Sequence, residues 1–250
     1  MNLYIITGAS RGMGAALAQQ LILPGNSLLC ISRQTNADLA NLAEQQQVPF
    51  AQWRFDLQDA AQAATELQAW LKPQLAKADS ITLINNAGII PLIAPLSEVP
   101  AAEIAKALRV GIEAPMLLTA AFLKATSHFS GAKKVLNISS GLGRRAMASQ
   151  AAYCAAKAAM DHFTRCLALE EALKPHGAKV CSLAPGVIDT DMQIQLRGAD
   201  DKAFPDKAAF VGMKAQGSLT SPHEAAGRLI AYLARSDFGS NPVADVRDVA

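Results

Sequence analysis

The chain has 250 residues, 51% of them hydrophobic and 18% charged, with a formal net charge of +2. This is a globular composition with ample material for a core, which excludes a disordered chain, and the small charge offers no basic patch of the kind that nucleic acid or an anionic membrane requires. No apolar run reaches the roughly 18 residues of a membrane span, and the opening "MNLYIITGAS" reads as a strand, without the features of a signal peptide.

In chain order, "LYIIT" (3–7) reads as a buried strand, followed by a glycine-rich turn and a helix through "AALAQQLIL". "SLLCIS" (27–32) is a second strand, followed by a polar helix near 37–47, and "PFAQWRFD" (49–56) is a third strand. "AAQAATELQAWLKPQL" is a helix and "SITLIN" (80–85) a fourth strand; helices follow near 100–108 and 112–126. "KKVLNIS" (133–139), a long helix over about 150–173 and "AKVCSLA" (178–184) come next. Residues 187–222 break the rhythm and read as an inserted substrate loop with short helices; "NPVADVRDVA" closes the chain as a last strand plus tail. Apolar strands alternating with helices predict an α/β fold, a doubly wound parallel sheet of six to seven strands with helices on both faces. No linker or repeat divides it, so 1–250 reads as one domain. Cys30, Cys154, Cys166 and Cys181 include no C-x-x-C pair. They read as free thiols of a reducing compartment, with no metal site and a cytosolic, soluble protein expected.

"TGASRGMG" (7–14) lies between the first strand and the first helix. Gly8 permits a sharp turn, while Gly12 and Gly14 remove Cβ atoms where a ligand and the sheet approach the backbone. With Ser10, Arg11 and Met13 they lead into a helix N-terminus that can receive a phosphate. The G-x-x-x-G-x-G spacing differs from the G-x-G-x-x-G fingerprint. A site for a free ribose 2′-OH usually carries Asp or Glu at the end of the second strand. Here that strand ends "CISRQT". Arg33 and Arg11 are either surface arginines or partners of a 2′-phosphate, and the missing acid favours NADP(H) over NAD(H). In "YCAAK" (153–157), Tyr153 and Lys157 share one helix face. The pair alone allows two readings, a packed tyrosine beside a solvated lysine or a phenol tuned by an ammonium.

Six stretches in order, "TGASRGMG", "FDL" (55–57), "NNAG" (85–88), "NISS" (137–140), "YCAAK" and "APGVIDT" (184–190), resemble the short-chain dehydrogenase/reductase family over nearly the whole chain. "LALEE" (167–171), "IDTDMQ" (188–193) and "KAQGSL" (214–219) are similar to sepiapterin reductases and benzil-type diketone reductases. The resemblance implies a Rossmann-type fold and a nicotinamide cofactor, NADP by the reading above. It makes Tyr153 the general acid toward a carbonyl oxygen. Lys157 lowers the phenol's pKa and holds the nicotinamide ribose, and Ser140, 13 residues before Tyr153, polarises the carbonyl. Ser139 and Asn85 remain structural. The resemblance brings Asp56 and Leu57 to the adenine and Asn86, Ala87 and Gly88 to the adenosine ribose. The backbone of Val187 or Ile188 faces the carboxamide, and Thr190 reaches the carboxamide or a phosphate.

One departure stands at "VGIEAP" (110–115), where Gly111 occupies the position of a family asparagine that serves a proton relay. Either water substitutes or the relay is weakened; on this basis Gly111→Asn is expected to be neutral or activating. The expected activity is reduction of a small-molecule ketone or diketone to an alcohol with NADPH. The alternatives are a nucleotide-binding scaffold or sensor with little turnover, and an NAD-dependent alcohol dehydrogenase. Met147, Met192, Phe204, Phe210 and Met213 suit either an apolar substrate cleft or the core of a lid. The alanine-rich helices near 112–126 and 150–173 carry few outward charges, and in the family such helices pack across a two-fold axis. A homodimer or homotetramer is expected, with no nucleic acid or membrane partner.

Overall fold

Alternation along the strands decides which face each side chain covers. In the computed structural model, which describes residues 1–248, the strands are β1 (Asn2–Thr7), β2 (Asn26–Ser32), β3 (Phe50–Arg54), β4 (Ser80–Asn85), β5 (Ala132–Ile138), β6 (Lys179–Ala184) and β7 (Val243–Asp245). The helices are α1 (Gly12–Leu21), α2 (Ala37–Gln45), α3 (Ala61–Gln74), α4 (Ala101–Leu108), α5 (Ala114–Ala125), α6 (Ala151–Ala172), α7 (Asp191–Arg197), α8 (Lys207–Ala215) and α9 (Pro222–Ala234). Ile6, Leu28, Cys30, Ile84, Leu136 and Leu183 point to one face, where Leu17, Leu21, Leu229 and Leu233 of α1 and α9 cover them. Leu3, Ile5, Leu29, Ile31, Leu83 and Val135 point to the other and meet Leu67, Leu71, Leu118, Phe122 and Leu167 of α3, α5 and α6. Both faces are dry, which is why the strands read as continuous apolar runs.

All seven strands are parallel, in the order β3-β2-β1-β4-β5-β6-β7. The chain starts in the middle, winds outward to β3, then returns to β4 and winds the other way. The switch point therefore lies between β1 and β4, and a crevice opens beyond their carboxyl ends.

Two elements depart from the sequence reading. The helices expected near 100–108 and 112–126 form one path, joined by a π-helical turn over Arg109–Glu113. Helix α9 was not anticipated, although "SPHE" (221–224) carries its signal: Ser221 Oγ accepts a hydrogen bond from the Glu224 N–H at 3.1 Å, and Pro222 occupies the first turn. The expected tail runs on into residues 249–250, which lie outside the described residues. Among the described residues, no helix is long and apolar enough to cross a membrane.

Candidate active site

The phosphate turn is built by close backbone approach. Gly8 and Gly12 have φ of +69° and +57°, the left-handed region that favours glycine. A Cβ on Gly14 would lie 2.2 Å from the Gly8 carbonyl oxygen, and one on Gly8 2.8 Å from the Ala87 Cα. Thr7 Oγ1 accepts hydrogen bonds from the N–H groups of Asn86 and Ala87, both at 3.0 Å. Asn86 Nδ2 donates to the Thr7 carbonyl at 2.9 Å and the Gly8 carbonyl at 3.2 Å. The Nδ2 group of Asn86, a residue expected at a ribose, thus braces the turn. Thr7 does the same, and the sequence reading missed it. Helix α1 opens with no side-chain cap and no acid in its first turn, so its N–H groups and positive end are free for a dinucleotide's phosphates. This cradle fits a nicotinamide dinucleotide.

The residues expected around that ligand line one cleft of about 800 Å³: Gly8, Ser10, Arg11, Gly12, Met13, Gly14, Arg33, Asp56, Leu57, Asn86, Ala87, Gly88, Val187, Ile188 and Thr190. Ser140, Tyr153 and Lys157 line the same cleft. Arg33 is exposed just past β2, and among the described residues it forms no ion pair. Arg11 pairs with Asp191 at 2.9 Å, with both side chains largely exposed; such a pair is weak and yields readily to a phosphate. Asp56 accepts from the Gln58 N–H at 3.0 Å. Thr190 Cγ2 would lie 3.6 Å from a Cβ on Gly12, so this side chain faces the phosphate turn.

Ser140 follows β5, and Tyr153 and Lys157 lie one turn apart on α6. Lys157 Nζ is 5.7 Å from the Tyr153 ring centroid and donates to the Ile138 carbonyl at 2.7 Å. Burial pushes the Lys157 ammonium down to about 8, opposed by the Asp161 carboxylate. Burial also raises the Tyr153 phenol above its ordinary value, opposed by a hydrogen bond with the Ser140 side chain. Burial is the largest influence on the phenol in the protein alone, and the Lys157 ammonium expected to lower it stands 5.7 Å from its ring.

Behind this cluster sits a carboxylate that the sequence reading did not single out. Asp161 is 1% exposed. Its Oδ1 accepts from Ser139 Oγ at 2.6 Å and Ser182 Oγ at 2.7 Å, and Arg144 Nε lies 3.3 Å from Oδ2. It ties the segment bearing Ser140 to α6 and β6. Ser139 is spent on that tie, and Asn85 on bonds to Thr119 and Asn137.

Gly111 is buried in the π-helical turn, where a Cβ would lie 2.8 Å from the Cβ of Ala156. The glycine is there because α6 passes too close for a side chain. The contact sets a packing cost against the expectation that Gly111→Asn is neutral or activating.

The segment after β6 folds over the cleft as α7 and α8. Met147, Met192 and Phe210 line the cleft. Phe204 does not: it is 1% exposed and stacks on Phe210 at 5.6 Å between ring centroids. Met213 packs against the same lid cluster, with Ile93 and Leu196. Phe204 and Met213 are thus lid core.

A doubly wound sheet with a phosphate cradle at its switch point and a Ser–Tyr–Lys cluster beside it defines the frame of a nicotinamide-dependent oxidoreductase. The model of the short chain dehydrogenase family matches residues 2–201, and the chain belongs to that family. It is 35% identical over 244 residues to a benzil reductase ((S)-benzoin forming) of Bacillus cereus, covering 97% of this chain and 98% of that one. A sepiapterin reductase of Xenopus laevis is 31% identical over 258 residues, with 98% and 95% covered. Among solved structures, a short-chain dehydrogenase/reductase from Burkholderia vietnamiensis is 33% identical, with a TM-score of 0.66 and 100% and 98% covered.

Proposed function

We propose that this protein is an NADPH-dependent carbonyl reductase that converts an apolar ketone or diketone to an alcohol. The observation that carries the reading is the Ser140–Tyr153–Lys157 cluster in one cleft with the phosphate cradle. The names of the relatives, benzil and sepiapterin reductases, favour the reductive direction. The nicotinamide, when bound, supplies hydride to the carbonyl carbon. The chain's own residues do the rest. The Ser140 hydroxyl donates to the carbonyl oxygen and polarises it. Tyr153 gives that oxygen its proton as the C–H bond forms and the C=O π bond breaks, so hydride plus proton balance as an alcohol. Tyr153 holds its proton at neutral pH, and the Lys157 ammonium, 5.7 Å from its ring, favours the phenolate that forms as the proton leaves. Lys157 lies in reach of the ribose side of the cleft and sets the charge around the phenol. Arg33, with no acid beside it, favours a 2′-phosphate, hence NADP.

The test is NADPH oxidation across a panel of ketones and diketones with wild type and Tyr153→Phe. The variant keeps the ring and deletes only the proton donor. Turnover is expected to fall about 10² or more, the scale of general acid catalysis, with NADPH affinity retained. Wild-type rates in the variant, or tight NADPH binding with no turnover on any carbonyl, would overturn the proposal.

A further inference from the structure

Gln150 stands immediately before α6, three residues from Tyr153, and lines the same cleft. It is 1% exposed. Neither its Nε2 nor its Oε1 makes a hydrogen bond within the described residues, and it does not cap the helix. A buried amide without partners costs free energy that an apolar residue of the same shape would not. Its position relative to Tyr153, at i and i+3, puts the two side chains on neighbouring ground. The cleft wall beyond Ser140 carries Leu142, Met147, Met192, Leu196 and Phe210 beside the polar Arg145, Gln193 and Gln195.

We infer that Gln150 is a specificity residue that hydrogen-bonds a second oxygen of the substrate, so that the preferred substrate class is a carbonyl compound bearing another carbonyl or hydroxyl oxygen on the adjacent or next carbon. The inference rests on the proposed carbonyl reduction. With the reacting oxygen between Ser140 and Tyr153, a second oxygen on the adjacent or next carbon can be directed toward the first turn of α6. There the Gln150 amide can donate to a carbonyl or accept from a hydroxyl. A monoketone of equal size leaves that amide unpaired. A site built to pair with a polar group discriminates against the analogue lacking it far more strongly than an apolar pocket does.

The test compares 1-phenyl-1,2-propanedione with propiophenone, its monoketone counterpart, in wild type, Gln150→Leu and Gln150→Met. Wild type is expected to prefer the dione in kcat/KM. Both variants are expected to lose about tenfold or more on the dione and little or nothing on the monoketone, the loss of one buried hydrogen bond. Their melting temperature, measured without cofactor, is expected to hold or rise, because an unpaired buried amide has been removed. Equal losses on both substrates, or a wild-type preference retained in both variants, would overturn the inference and leave Gln150 a packing residue. Tyr153→Phe run in parallel separates the two proposals: it is expected to slow both reactions about 10² or more, and wild-type rates in that variant count against carbonyl reduction and not against the Gln150 contact. Calorimetric binding of the dione to the NADP-loaded protein reads the contact without turnover. Equal affinity in wild type and Gln150→Leu would sink it.

Discussion

Arg33 is the residue on which cofactor choice rests. It stands past the end of β2 where a 2′-OH site would carry an acid, while Arg11 is partly engaged by Asp191. Arg33→Asp removes a charge-assisted bond of about 1.5–3 kcal/mol to a 2′-phosphate and offers a free 2′-OH an acceptor. The KM for NADPH is expected to rise at least about tenfold, on that range, and the KM for NADH to fall. An unchanged NADPH/NADH ratio would take Arg33 out of the site. Gly111 answers a different question. The sequence presents it as a missing relay asparagine, and the structure presents it as a packing necessity, because the Cβ of Ala156 occupies the space a side chain would need. Gly111→Asn is expected to destabilise by about 1–3 kcal/mol, the cost of overpacking, with no gain in turnover. Thermal melting checks this. Combined with Ala156→Gly, the two changes should cost less than the sum of the singles, since they share one contact.

At the scale of elements, the lid formed by α7 and α8 has its own small core. Phe204 and Phe210 stack there with Leu196 and Ile93 beneath them. Asp189 anchors the segment through Lys214 at 2.6 Å, and Gln195 Nε2 reaches the Ile90 carbonyl at 3.2 Å. This cluster is separate from the two that hold the sheet, so damage to it should stay local. Phe204→Ala forfeits packing of about 3–5 kcal/mol, as large-to-small core changes do. It is expected to raise the KM for the carbonyl substrate and to speed proteolytic cleavage within 198–215, with only a small shift in global melting. A lid as protease-resistant as wild type, with KM unchanged, would show that Phe204 does not hold it shut.

At the scale of the whole molecule, α5 and α6 leave an apolar surface with no cover in the monomer. Met116 is 45% exposed, Leu169 73% and Leu173 87%. Ala151, Ala155, Ala158 and Ala159 are exposed along the same helix. Small residues allow close helix approach, and exposed apolar side chains of this kind suit a helix-to-helix contact between copies of the chain. A homodimer or homotetramer is the expected state in light scattering at micromolar concentration, with Leu169→Glu shifting it toward monomer. A monomeric wild type would refute the assembly. Because Tyr153 and Lys157 lie on α6, dissociation is also expected to lower activity.

Local periodicity carried most of what was legible beforehand. Continuous apolar runs such as "LYIIT" and "SITLIN" determined the strands, since both faces of the sheet are buried. The glycine turn and the i, i+4 placement of Tyr153 and Lys157 were readable because a turn and one helix face are set within a few residues. Their roles came only through resemblance to a family. Helix α9 was legible too, through its capping sequence, and was overlooked. Other features depended on residues far apart in sequence meeting across the sheet. The contact of Gly111 with Ala156, the convergence of Ser139 and Ser182 on Asp161 and the sealing of Gln150 in the cleft wall are of this kind. So is the net rise of the Tyr153 pKa, which reflects burial. Sequence spacing records what a residue shares with its neighbours along the chain. Which side chains lose their water, and which groups then face them, is decided by strand register and helix packing, and only the tertiary structure holds that information.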